Sequence, residues 1–165
     1  LTIGVAVGDL ATARDAERLA KHTDHVVQIN TGRACHLEAH QVRRAMDQLP
    51  LDELDLLVIE NVGNLICPVG FDLGQDLKVG MFSVSEGDDK AAKHWTLVHA
   101  ASLIVLNKID LMPYIPFDRE KFHADVAQLN PEAPVYELSV SNGQLDAWCD
   151  WLGKQTGAAA AKSAE

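Results

Sequence analysis

The stretch Leu103-Ile-Val-Leu-Asn-Lys-Ile-Asp110 joins an apolar run to a polar end, Asn107-Lys108-Ile109-Asp110, whose residue types suit a nucleobase. One edge of guanine carries a ring N–H and an exocyclic amine, both donors. A single carboxylate accepts both in a charge-assisted bidentate pair, and Asp110 has the chemistry for that task. Adenine lacks the donor pair and would leave the carboxylate unmatched. Asn107 can bridge the base to neighbouring loops, and the Lys108 stem can lie over the base plane. Taken alone the four residues also suit a solvated turn; the apolar run before them favours the base site. Farther along, Ser139-Val140-Ser141 follows another strand-like run, where backbone N–H groups can meet the guanine carbonyl oxygen. By itself this is an ordinary turn, and it gains weight from its order after the Asn-Lys-x-Asp segment.

Two acids close apolar runs. Glu60 ends Leu54-Asp-Leu-Leu-Val-Ile-Glu60, and Asp9 ends Thr2-Ile-Gly-Val-Ala-Val-Gly-Asp9. Acids placed so in nucleotide hydrolases contact Mg²⁺ or position water; strand-end acids facing solvent are the equal alternative. Gly63, just beyond Glu60, permits close backbone approach to a ligand. Cys35-His36 pairs a soft with a borderline ligand, and Cys67 sits in the segment after Glu60. Two thiolates and an imidazole suit Zn²⁺ or Ni²⁺, whereas cysteine is also a common small core residue. The spacing does not choose between these. His40, one helical turn from His36, is a possible fourth ligand but reads better as solvent-facing. Cys149, between Trp148 and Trp151, reads as packing.

These groups need a scaffold that brings strand ends together. Apolar runs alternate with helical periodicity, the pattern of a parallel α/β sheet. Strands are expected at 2–7, 26–29, 54–60, 78–84, 103–106 and 135–138. Helices are expected at 11–22, 37–48, 96–101, from the Asp118 cap to Leu129, and at 144–154. Long loops fall at 61–76 and 86–93, and ligands of such sheets gather at the carboxyl ends of the strands. The chain of 165 residues fits one domain, 1–154, with an Ala-rich flexible tail at 155–165. With 47% hydrophobic and 23% charged residues it has the composition of a soluble globular protein. A net charge of −10 argues against nucleic-acid and membrane partners and does not oppose a cation. Three cysteines make no disulfide framework and point to reduced thiols in the cytoplasm.

At this level of detail the residues resemble a family. Thr31-Gly-Arg-Ala-Cys-His36, Ile59-Glu-Asn-Val-Gly-Asn-Leu-Ile-Cys-Pro68, Phe71-Asp-Leu-Gly74, Ser83-Val-Ser-Glu-Gly87 and Asn107-Lys-Ile-Asp110 resemble HypB, the hydrogenase maturation GTPase. The likeness runs from about residue 2 to about residue 152, and the Ile59–Pro68 run separates the chain from the urease-maturation relative. The resemblance implies a SIMIBI-class P-loop NTPase domain, a Rossmann-like three-layer α/β fold built on a parallel sheet. It implies a nickel metallochaperone for [NiFe]-hydrogenase that hydrolyses GTP slowly and dimerises across its nucleotide sites. Its cofactors are GTP or GDP, Mg²⁺, and Ni²⁺ or Zn²⁺. Its partners are a second copy, another nickel metallochaperone of the pathway and the hydrogenase large-subunit precursor. Carried over, the metal ligands fall on Cys35, His36 and Cys67, and the base-specificity motif on Asn107, Lys108 and Asp110, with Ser139 and Val140 at the base.

Two departures accompany the likeness. No Gly-rich loop ending in Gly-Lys-Ser/Thr occurs within the sequence. The N-terminal strand and phosphate loop of the fold are therefore expected in a longer protein, and GTP hydrolysis is expected of that protein. Ser139-Val-Ser-Asn-Gly-Gln144 is also about one residue shorter than the family's Ser-Ala-x-x-Gly-x-Gly turn. The expected mechanism is a two-state switch. Nucleotide and Mg²⁺ order the loops after Asp9 and Glu60, Cys67 moves with the second loop, and Cys35 and His36 stay at a helix start. The apolar run Leu111–Phe117 is a candidate dimer surface, with packing beneath the loop as the alternative.

Overall fold

The computed structural model describes residues 1–9, 14–32 and 34–156, except the side chains of residues 9, 14 and 15. The expected tail lies almost entirely outside the described residues. Two compact units are present, one built on Leu1–Gly74 and the other on Gln75–Leu152.

In the first unit the elements are β1 (Ile3–Asp9), α1 (Arg14–Leu19), β2 (Val26–Asn30), α2 (Ala39–Met46) and β3 (Leu56–Glu60). The three strands form a parallel sheet in the order β2-β1-β3. As the middle strand, β1 is covered on both faces, so it reads as an unbroken apolar run rather than an alternating one; Val5, Ala6 and Val7 are buried. Val42 and Ala45 of α2 join Ala6, Ile29 and Leu37 in the core. Gly8 has a steric reason. A Cβ there would lie 2.9 Å from the side chain of Leu37, which is completely buried. The bare strand end thus makes room for Leu37.

The second unit contains β4 (Val79–Ser83), α3 (Lys90–Lys93), α4 (Trp95–Ala100), β5 (Leu103–Asn107), α5 (Arg119–Leu129) and β6 (Val135–Glu137), followed by most of α6 (Asp146–Gln155). Its parallel sheet runs β4-β5-β6. Leu103, Ile104, Val105 and Leu106 of central β5 are all fully buried. Leu145, Trp148 and Trp151 cover Leu103, Val105 and Leu138 on one face, while Phe122 of α5 meets Phe82 edge to face, with ring centroids 5.7 Å apart. The parallel α/β class expected from the sequence is therefore present.

Element ends moved where local chemistry outweighed periodicity. The expected helix 37–48 is shortened to Ala39–Met46, because Leu37 is drawn into the core and Glu38 caps the helix, its N–H donating to Gln41 Oε1 at 2.9 Å. Cys35 and His36 consequently lie in the chain leading to α2, not at its start. The expected loop 86–93 contains α3. It is tied down by Asp88, which accepts from the Asp118 N–H at 3.1 Å and from Lys121 Nζ at 2.6 Å, while Asp89 pairs with Lys93.

The Asp88 tie has a pH signature. The Lys121 ammonium and the Asp118 N–H hold the Asp88 carboxyl below its usual range. A depressed carboxyl contributes stability above its unfolded pKa and loses it as pH falls through the folded value. Lys121→Met is therefore expected to lower stability at neutral pH. The gap to wild type should close below the ordinary carboxylate range near pH 4. The acid midpoint should rise by on the order of a few tenths of a pH unit, small because the pair is partly exposed. Denaturant melts across pH read this; a gap that persists at pH 2.5 would assign the effect to packing.

Candidate functional site

The first candidate site grows from Leu37. Its side chain is fixed against Gly8 at the carboxyl end of β1, and its N–H donates to Asn61 Oδ1 at 3.0 Å. Asn61 follows Glu60 directly and its Oδ1 also accepts from the Val62 N–H at 2.9 Å. One amide oxygen thus joins the end of β3 to the residue after His36. Asn64 does the same for the third expected ligand. Its Oδ1 accepts from the N–H groups of Ile66 and Cys67, at 2.9 and 3.3 Å, and sets the short 3-10 turn Cys67–Gly70.

These anchors bring Cys35 to both other donors. Cys35 Sγ lies 3.8 Å from His36 Nδ1, and the neighbouring Cys67 thiol, with partial desolvation, keeps the Cys35 thiol above its usual range. All three cysteines are free thiols. Donors sharing one metal at about 2.0–2.3 Å sit roughly 3–4 Å apart, so the Cys35–His36 spacing is compatible with a common ion. Among the described residues no three donors yet converge on one point. His36 instead stacks on Phe71, ring centroids 3.6 Å apart and planes 15° from parallel. Its Nε2 is buried with no hydrogen-bond partner. Two thiols and an imidazole fit a borderline cation such as Ni²⁺. Binding would release the thiol protons. His40 is not drawn in; it pairs with Glu38 at 3.0 Å. Asp9 and Glu60 close adjacent strands, Asp9 opposite Asn30 and Glu60 opposite Val7. The Glu60 side chain is exposed, and that of Asp9 lies outside the described residues.

The second candidate site lies in the other unit, where β5 ends. Lys108 adopts a left-handed conformation (φ 61°, ψ 38°), the only non-glycine with positive φ among the described residues. Such strain persists where surrounding contacts enforce it. Here Asn107 Oδ1 accepts from the Lys108 N–H at 2.7 Å, and the Ile109 N–H reaches the Leu138 carbonyl at 3.1 Å. This sharp turn faces Asp110 towards Ser139, whose Oγ donates to Asp110 Oδ1 at 2.6 Å. Ser139 is fully buried. Its Oγ also accepts from the Asn142 N–H at 3.3 Å, closing the turn 139–144 with Gly143 at φ 68°. The Ser139 hydrogen bond, chief among several causes, holds the Asp110 carboxyl below its usual range. Asp110 is therefore an ionised, acceptor-only group with lone pairs left for two donors. Val140, next to Ser139 in sequence, is exposed. Phe71, Asn61 and Asn64 escaped the sequence reading as site residues; the Asn-x-x-Asn spacing within 61–64 was the available signal.

Comparison with known proteins places this architecture. Residues 1–137 match the family described as CobW/HypB/UreG, nucleotide-binding domain, and the chain belongs to that family. Within it, similar proteins include HypB. The chain is 45% identical over 152 residues to the hydrogenase maturation factor HypB of Escherichia coli K12, covering 92% of this chain and 52% of that protein. It is 49% identical over 138 residues to the probable hydrogenase maturation factor HypB of Methanocaldococcus jannaschii, covering 84% of this chain and 62% of the relative. The crystal structure of HypB from Helicobacter pylori in complex with nickel superposes with a TM-score of 0.90 at 37% identity. It covers 94% of this chain and 75% of that one. HypB from Archaeoglobus fulgidus gives 0.86 at 40% identity, covering 94% and 76%. The chain spans about half the length of most of the curated relatives it matches. Among the described residues no helix is long and apolar enough to cross a membrane.

Proposed function

We propose that this protein is a GTP-dependent nickel metallochaperone that helps to insert nickel into [NiFe]-hydrogenase. Cys35, His36 and Cys67 hold the cargo ion, and GTP hydrolysis is coupled to its release. The observation that carries this reading is Asn61. Its single side-chain oxygen links the residue after Glu60 to the backbone beside His36, and Asn64 extends the link to Cys67. A shift at the end of β3 therefore reaches both ligand-bearing segments through a short physical chain, the kind of connection that coupling requires.

In this reading Asn107, Lys108, Asp110, Ser139 and Val140 hold the guanine base. Asp9 and Glu60 contact Mg²⁺ or position the attacking water. Binding of the phosphates is the part that these residues do not supply. The protein works in the cytoplasm as a GTP-dependent homodimer. The run Leu111–Phe117, with Tyr114 82% exposed, offers an apolar surface for the second copy. Its partners are a second nickel metallochaperone and the hydrogenase large-subunit precursor.

Nickel titration of the full-length protein loaded with GDP or with a non-hydrolysable GTP analogue tests the coupling. Affinities should differ by about 5-fold or more. Equal affinities would sink the coupling. A full-length protein that neither binds nor turns over GTP would instead be a metal-binding module without enzymatic activity.

A further inference from the structure

Ligating histidines are ordinarily oriented by a hydrogen bond from the nitrogen that does not bind the metal. His36 has none: Nε2 is buried without a partner, while Nδ1 lies 3.8 Å from Cys35 Sγ. What holds the ring is Phe71, stacked nearly parallel at 3.6 Å. Phe71 is 40% exposed and is not among the buried hydrophobic residues, so general core packing does not explain it. It also arrives with Cys67. It caps the 3-10 turn that Cys67 begins, its N–H donating to the Pro68 carbonyl at 3.3 Å. One short turn therefore presents a thiol to Cys35 from its first residue and an aromatic face to His36 from its cap.

We propose that Phe71 is a positioning residue of the nickel site, holding the His36 imidazole by stacking so that Nδ1 stays turned towards Cys35. The stack replaces the missing hydrogen bond at Nε2. Because Phe71 and Cys67 share one turn, a displacement of that turn frees the imidazole as it withdraws the thiol. The inference rests on the assignment of Cys35, His36 and Cys67 as nickel ligands.

A double-mutant cycle in the full-length protein tests it, with nickel affinity and thiolate-to-nickel absorption as readouts and circular dichroism as the check on folding. Phe71→Ala should weaken nickel binding about 10-fold, the scale on which orienting partners of metal ligands act, and Phe71→Tyr should restore it. In a His36→Ala background Phe71→Ala should have no further effect. In the metal-free protein Phe71→Ala should move the His36 ring-proton resonances downfield, out of the shielding of the stacked face. An unchanged affinity in Phe71→Ala, or an equal loss with and without His36, overturns the proposal. If His36→Ala itself binds nickel as tightly as wild type, the ligand assignment fails first, a result distinct from failure of the stack alone.

Discussion

Replacing Asp110 by Asn in the full-length protein is expected to lower affinity for GDP and GTP on the order of 1,000-fold and to raise affinity for the xanthine nucleotides. The geometry gives the sign. Asp110 Oδ1 already accepts from Ser139 Oγ at 2.6 Å, and that bond helps to keep the carboxyl ionised. An ionised carboxylate has about four acceptor positions and no donor. With one position used by Ser139, acceptors remain for the two donors on the guanine edge, each pair charge-assisted. Asparagine keeps one acceptor and introduces an amine. That amine confronts the guanine amine, donor against donor, and the charge is lost as well. A site built around hydrogen bonds discriminates strongly when a partner goes unmatched. Xanthine carries an oxygen where guanine carries the amine, so the new amine finds an acceptor there. The changed preference separates this outcome from damage to the fold, since a disordered turn would lose both nucleotides. Competition binding with guanine and xanthine nucleotides reads the result. Unchanged GDP affinity would remove Asp110, and with it the whole second candidate site, from base recognition.

The sequence carries local structure well, and the reasons are visible in particular residues. Asp118 was readable as a helix cap because an N-cap is a chemical event within four residues, and Asp118 Oδ1 accepts from the Lys121 N–H at 2.9 Å. Strand β5 was readable because burial on both faces leaves an unbroken apolar run. The expected ends of β1 and β5 each fell short of the strands observed, Ile3–Asp9 and Leu103–Asn107. In both cases the polar residue of interest continues the ladder instead of beginning the loop. The parallel α/β class and the likeness to HypB were legible for the same local reason, a set of short motifs in order.

What was not legible is what depends on the third dimension. Cys35 and Cys67 become neighbours across a long stretch of sequence, and no periodicity encodes that meeting. It is arranged by Gly8, which admits Leu37, and by Asn61, which grips the Leu37 N–H. A glycine in a strand and an asparagine in a loop are each too common to signal this alone. The left-handed turn at Lys108 was hidden too, because a lysine gives no local hint of positive φ. In sequence Phe71 stands out only as part of a motif, since stacking on His36 requires the 3-10 turn that Asn64 sets.

Removing Cys35 is expected to have the largest effect on metal binding, because Cys35 is the donor that touches both of the others. Its sulfur lies 3.8 Å from His36 Nδ1 and has the Cys67 thiol as its neighbour, whereas no hydrogen bond links His36 to Cys67 among the described residues. Cys35→Ala should therefore weaken nickel binding on the order of 100-fold or more, the scale expected when a thiolate is lost from a small donor set. It should also abolish most of the thiolate-to-nickel absorption. Cys67→Ala should cost somewhat less and leave a residual Cys35–His36 pair with weaker absorption. Cys35→Ser should not rescue, because a hard hydroxyl is a poor ligand for a cation that prefers sulfur and nitrogen. The exposed side chain of Cys35 makes the substitution mild for the fold, so the loss reads out as chemistry. Cys149→Ala is the control: that thiol is exposed on α6 and belongs to neither candidate site. Nickel stoichiometry and affinity of the four variants, measured in the full-length protein, make the comparison. If Cys35→Ala and Cys67→Ala both bind nickel like wild type, the thiol pair is a packing feature, and the meeting of Cys35 with Cys67 needs another explanation.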